Sequence, residues 1–183
     1  MNTQPTQEGS EKEQNYPQTA RKESAERLKV LFLCTGNSCR SQMAEGWAIH
    51  LKSDTIEAYS AGTKPHGLNR IAVNIMLQSG VDISNHGSKK IARLEGIDFD
   101  YVVTVCDNAQ KSCPVFPGKA KVVHKSFDDP PRLAETAGSE EEALDHYRRV
   151  CEEIRAFVET LPESLHALHQ KQGPGSQQMS LGI

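Results

Sequence analysis

From Leu28 an apolar run of strand length leads to Cys34 and stops there; Thr35-Gly36-Asn37-Ser38-Cys39 follows, and Arg40-Ser41 opens a helical pattern. This order leaves few solutions: a buried strand must enter a helix through a tight loop. A strand feeding a helix in this way aims several backbone N–H groups at one point, and the helix dipole adds positive potential there. The loop is therefore read as an oxyanion cradle. Cys34 is its candidate nucleophile, because a helix N-terminus and a neighbouring cation can draw a thiol towards the thiolate at neutral pH. Arg40 offers a planar fork of donors matched to two oxygens of a tetrahedral anion. Gly36 and Asn37 tolerate left-handed backbone, Thr35, Ser38 and Cys39 complete the anion-binding backbone, and Ser41 can donate a hydroxyl hydrogen bond to the thiolate. The plainer alternative is a structural cysteine at a strand end with an arginine on the solvent side.

The stretch Cys34-Thr-Gly-Asn-Ser-Cys-Arg-Ser-Gln-Met-Ala-Glu-Gly-Trp47 resembles the signature of thioredoxin-coupled arsenate reductases built on the low-molecular-weight protein tyrosine phosphatase fold. The similarity continues through Tyr59-Ser-Ala-Gly62, Asp82-Ile-Ser-Asn-His86, Val102-Val-Thr-Val-Cys106, Cys113-Pro114 and Phe127-Asp-Asp-Pro130, and covers roughly Leu28 to Leu161. It implies reduction of arsenate, with phosphate or sulfate as mimics and thioredoxin as partner.

A chain of 183 residues suits one domain with a real core. With 25% charged residues and a net charge of −3, no nucleic acid or membrane surface is implied as a partner. No run is long and apolar enough to span a bilayer, and the first 26 residues resemble neither a secretory signal nor a transit peptide. Five cysteines at irregular spacings read as catalytic or redox groups in a reducing, cytoplasmic setting.

Taken in order, residues 1–27 are expected to be a disordered polar tail and 28–162 the domain, with 163–183 a flexible tail that includes His166 and His169. Within the domain the expected elements are a strand to Cys34, a helix burying Met43, Ala44, Trp47, Ala48 and Leu51, and a strand Thr55–Ser60. A helix Asn69–Ser79 with Ile71, Ala72, Ile75 and Met76 inward comes next, then a short helix from Ser88 to Leu94. A strand Phe99–Val105, a strand Lys121–His124 and a long helix Ser139–Leu161 carrying Cys151 on its apolar stripe complete the set. Strands alternating with helices predict an α/β fold, a four-stranded parallel sheet with helices on both faces and a site beyond the carboxyl ends of the strands.

Cys106 and Cys113 flank a polar segment. If that segment is helical, its rise places their Cα atoms about 10 Å apart, beyond the ~7 Å a disulfide allows. Spacing alone leaves open a redox switch that unwinds to close, or two unrelated cysteines. The resemblance implies the switch: Cys34 attacks arsenate, Cys106 attacks the adduct, and Cys113 then attacks Cys106. Asp128-Asp129-Pro130 reads either as a turn or as the source of a general acid, and the resemblance assigns the acid to Asp129. Some relatives hold potassium through an Asn, a Glu, a Ser and an Asp. Here Asn37, Glu45 and Ser60 match but Lys89 stands at the Asp position, so its ammonium is expected to replace the ion. Pro131 also departs from the family's usual small residue. No Cys-x2-Cys pair supports zinc, and no metal or cofactor is expected. The nearest rival is a tyrosine phosphatase on the same fold; Pro131, Arg132 and Leu133 supply no ring to grip a phenyl group.

Overall fold

Val30 to Cys34 are buried without interruption, so the strand that contains them must be covered on both faces. In the computed structural model, which describes residues 26–116 and 119–173, this strand, β1 (Leu28–Cys34), lies inside a four-stranded sheet. β2 (Ile56–Gly62) pairs with it in parallel from Leu28↔Ile56 to Cys34↔Gly62. β3 (Tyr101–Thr104) pairs on its other side, from Val30↔Tyr101 to Leu33↔Thr104, and β4 (Lys121–His124) runs parallel outside β3. The order β2-β1-β3-β4 is the predicted all-parallel α/β sheet. The chain leaves β1 to one side for β2 and returns to the other for β3, so a crevice opens between the carboxyl ends of β1 and β3. Cys34 ends β1, and Cys106 stands two residues beyond β3.

Helix α1 (Arg40–Lys52) is buried all round from Ser41 to Ala48, since it lies between the sheet and the longest helix. That helix, α5 (Glu140–Glu159), begins in a capping box: the Ser139 hydroxyl accepts from the Glu142 N–H, and the Glu142 carboxylate accepts from the Gly138 N–H. It buries Tyr147, Val150, Cys151, Ile154, Phe157 and Val158. Cys151 meets Met76 of α2 (Arg70–Gln78), as expected of a core thiol. Burial of Phe32, Met43 and Ile154, all fully enclosed, is worth roughly 1.5–3 kcal/mol for each side chain.

Several boundaries differ from the sequence reading. β2 runs on to Gly62 because Ala61 and Gly62 pair with Leu33 and Cys34, whereas β3 is confined to Tyr101–Thr104. The helix expected from Ser88 is a single 3₁₀ turn, Ile91–Leu94. Residues before it stay extended because the Lys89 carbonyl accepts from the Gly62 N–H and the Lys89 N–H donates to the Asn37 side-chain Oδ1. The flexible tail expected from residue 163 is corrected: Glu163–Gln172 forms α6, Leu165 is fully buried, and the His166 ring meets Tyr101 edge-on. The domain therefore runs to residue 172. The expected N-terminal tail lies outside the described residues but for its last two, and Gly173–Gln178 lies outside them after Gly173.

Candidate active site

Every carbonyl of the loop after β1 is bonded away from the crevice. Cys34 O accepts from the Thr63 N–H (3.2 Å), Thr35 O from Lys64 (2.8 Å), Gly36 O from His66 (3.2 Å) and Ser38 O from Asn69 (2.9 Å). Asn37 O accepts from the Gln42 side chain (3.1 Å), and Cys39 O from the Met43 N–H within α1 (2.9 Å). In a trans peptide C=O and N–H point in opposite directions, so the amides from Thr35 to Arg40 are turned inward and an oxyanion meets donors without a facing carbonyl. The Asn37 N–H already donates to Cys34 Sγ at 3.0 Å.

Asn37 adopts the predicted left-handed backbone, with φ 46°. Gly36 does not; a Cβ there would lie 2.1 Å from Nε2 of the exposed His66 ring, which would have to swing aside. Asn37 then organises the floor. Its Nδ2 donates to Ser41 Oγ (3.0 Å) and Ser60 Oγ (2.9 Å), and its Oδ1 accepts from the Lys89 N–H (2.8 Å). Because the amide nitrogen can only donate, the Ser41 oxygen accepts there and its own hydrogen is free for Cys34 Sγ, 2.9 Å away. Ser60 donates to Glu45 (2.6 Å). Lys89 Nζ lies 3.7 Å from the same Glu45 oxygen and donates to Gly87 O at 3.3 Å. An ammonium thus stands beside Glu45, which Ser60 also contacts. His86 Nδ1 also faces this cluster, 3.1 Å from Gln42 and 3.6 Å from Glu45.

Cys34 is 4% exposed. Burial pushes its thiol up; the Ser41 hydroxyl and the N–H groups of Asn37 and Ser41 pull it down, and the Cys106 thiol adds an upward push. The net direction is upward. The Arg40 guanidinium donates to Phe127 O (3.0 Å) and pairs with Asp129 (3.2 Å), so its charge is shared with a carboxylate. The two adjacent aspartates are sorted by partner. Asp129, at the start of α4 (Pro130–Ala134), faces Arg40, while Asp128 turns to Arg149 of α5 at 2.8 Å.

Cys106 lies on the other side of the crevice, with Thr35 Oγ1 3.6 Å from its sulfur. Its Sγ also accepts from the Ala109 N–H (3.4 Å), capping the short helix α3 (Asp107–Lys111). Cys113 follows that helix as a partly buried free thiol, pushed up to about 11 by burial. Among the described residues, no group of three or more His, Cys, Asp or Glu is arranged to hold a metal ion. Nor is any helix long and apolar enough to cross a membrane.

Residues 29–172 match the low molecular weight phosphotyrosine protein phosphatase family. The chain belongs to that family. Within it, the chain is 47% identical over 135 residues to the arsenate reductase of Bacillus subtilis, covering 72% of this chain and 95% of the relative. A solved arsenate reductase in the phosphate-binding state superposes with a TM-score of 0.56 at 29% identity, over 76% of this chain and 97% of that one. A Corynebacterium glutamicum thioredoxin-dependent arsenate reductase superposes with a TM-score of 0.50 at 25% identity, over 80% of this chain and 64% of that one.

For this family member, the structure gathers Cys34, Thr35 to Ser41, Asp129 and Cys106 at one crevice, with Cys113 one short helix away. Sequence reasoning missed Gln42, His66 and the segment from Thr63 to Asn69, all of which brace the loop. Gln42 carried no usable signal, since it lies opposite the apolar stripe of α1 and is buried only because that helix is covered all round. The bracing by residues 63–69 is made by backbone N–H groups and leaves no mark in residue type.

Proposed function

We propose that this enzyme reduces arsenate to arsenite through Cys34, Cys106 and Cys113, with thioredoxin as reductant in the cytoplasm. The observation that carries the reading is a second thiol, Cys106, across the crevice from the nucleophile and next to the loop residue Thr35. Arsenate binds to the inward amides and Arg40. The raised, neutral Cys34 thiol passes its proton to the dianionic oxyanion, and the thiolate, stabilised by Ser41, attacks arsenic. As Arg40 turns from Asp129 to the oxyanion, the freed Asp129 carboxylate takes a proton from water and passes it to the departing oxygen, which leaves as water. Cys106 attacks the Cys34 sulfur, forming a disulfide; the S–As bond breaks with its electron pair left on arsenic, which departs as arsenite. Cys113 then attacks Cys106 and releases the Cys34 thiolate, and the dithiol of thioredoxin reduces the Cys106–Cys113 disulfide. Lys89 takes the place of a potassium ion in fixing Asn37.

Arsenate-dependent NADPH oxidation with thioredoxin and thioredoxin reductase tests the reading. Turnover is expected in the wild type, equal in KCl and NaCl, and lost in Cys34→Ser, Cys106→Ser and Cys113→Ser. Turnover that survives loss of Cys106 or Cys113 would break the relay. Cleavage of an aryl phosphate without arsenate turnover would make the enzyme a phosphatase, the reading the family name itself favours.

A further inference from the structure

We propose that Asp107 and His124 form a latch on α3, tied through Gln172 to helix α6, that positions the Cys106–Cys113 pair in its dithiol form; this rests on the relay proposed above. Asp107 is the first residue of α3 and directly follows Cys106. Its Oδ1 lies 3.3 Å from His124 Nε2. The His124 ring is held at its other nitrogen by the buried Thr104 hydroxyl, 2.9 Å from Nδ1, and Thr104 lies on β3 two residues before Cys106. The His124 backbone is clamped as well: its N–H donates to Gln172 Oε1 and its C=O accepts from Gln172 Nε2, both at 2.8 Å. Three elements thus converge on one imidazole, which faces the residue next to the resolving thiol.

The latch matters because α3 has little stability of its own. A five-residue helix cannot offset its nucleation cost, so contacts at its ends decide whether it stays wound. Cys106 is the N-cap of α3 and Cys113 lies two residues past its last residue; helical rise over that stretch would set their Cα atoms about 10 Å apart where a disulfide needs less than ~7 Å, so α3 has to loosen for the bond to close. The Cys106 sulfur caps α3 at the Ala109 N–H, and a disulfide draws it out of that cap, which in this proposal carries the adjacent Asp107 off His124. The contact therefore exists in the dithiol and is lost in the disulfide, which biases the couple towards the dithiol and keeps Cys106 facing the crevice. The Asp107 side chain is 70% exposed, so the bias is modest, about threefold in the thiol–disulfide equilibrium.

The full chain carrying Cys34→Ser isolates this couple. It is equilibrated in mixtures of reduced and oxidised dithiothreitol, which takes up the two protons and two electrons released when the disulfide forms. The Cys106–Cys113 bond is then quantified by mass spectrometry after alkylation. Asp107→Ala is expected to move the equilibrium constant about threefold towards the disulfide and to add nothing in a His124→Ala protein. Gln172→Ala, distant from both cysteines, is expected to move it in the same direction and to speed amide exchange at residues 108–112 of the reduced protein. An Asp107→Ala shift that persists in the His124→Ala protein would mean that the carboxylate acts through Ser126, Lys111 or the helix dipole instead and would overturn the latch. Identical constants in all the proteins, or a Gln172→Ala protein indistinguishable from its parent, would overturn it equally. No Cys106–Cys113 disulfide even in the parent would overturn the relay, and this role of the latch with it.

Discussion

Ser41 and Gly62 show how single residues set the chemistry of the loop. Ser41 donates to a sulfur whose thiolate is disfavoured by burial. Removing the hydroxyl in Ser41→Ala takes away one of the contacts that pull Cys34 down, so its titration moves to still higher pH. A hydrogen bond to a charged acceptor is worth about 1.5 kcal/mol or more, and Cys34 alkylation at pH 7.5 is expected to slow about tenfold. Mass spectrometry of iodoacetamide-labelled peptides reads this, and an unchanged rate would show that Ser41 does not stabilise the thiolate. Gly62 acts by what it lacks. A Cβ there would lie 2.6 Å from Thr35 O and 2.9 Å from Asn37 N, backbone atoms of the anion loop. Gly62→Ala is expected to cost about 2 kcal/mol and most of the turnover. Gly36→Ala meets only the exposed His66 ring, which can swing aside, and is expected to cost less than half as much in urea unfolding. Equal stabilities for the two variants would refute the assignment of Gly62 as the rigid neighbour of the loop.

At the scale of elements, α4 separates two chemically identical neighbours by the helices they face. Asp129 meets Arg40 at the start of α1, whereas Asp128 meets Arg149 on the outside of α5 with 60% of its side chain exposed. Asp128→Asn is expected to change stability by no more than about 0.5 kcal/mol and to leave turnover intact. Asp129→Asn is expected to lower kcat about a hundredfold; the same arsenate assay reads both, and similar losses for the two variants would place the acid elsewhere. The sequence marked such elements unevenly. β1, its loop and α1 were legible because an apolar run, turn-forming residues and a helical period follow one another without ambiguity. α5 was legible from its stripe and Ser139. α6 was not: only Leu165 and Leu168 carry apolar packing in it, Pro162 reads as a stop, and its tie to β4 is one glutamine amide on the His124 backbone. Backbone-to-backbone bonds, like those from Thr63 to Asn69, have no residue-type signature.

Across the whole molecule, the parallel sheet was implied by strands alternating with helices, yet its order and the state of the thiols were not, the latter because it depends on how completely the assembled fold excludes water. Burial raises Cys34, Cys39 and Cys151 and pushes Cys113 up to about 11. In the unfolded chain the same thiols ionise near pH 8.5. The folded state therefore keeps protons that the unfolded state gives up. With fewer protons bound when unfolded, the slope of stability against pH is negative. The stabilisation is complete below about pH 8.5 and is lost as pH rises through the folded values, including that of Cys113 near 11. Cys113, raised to about 11, accounts for a fall of about 2 kcal/mol between pH 8.5 and 10. Urea unfolding of the protein, kept reduced throughout, is expected to show a midpoint that falls steeply from pH 7.5 to pH 10. Cys151→Ser should flatten that dependence whatever it does to stability at neutral pH, since it removes a titrating group from the core. A midpoint independent of pH over this range would mean that the buried thiols ionise as readily in the fold as outside it, and the neutral Cys34 from which the proposed reaction starts would have to be abandoned.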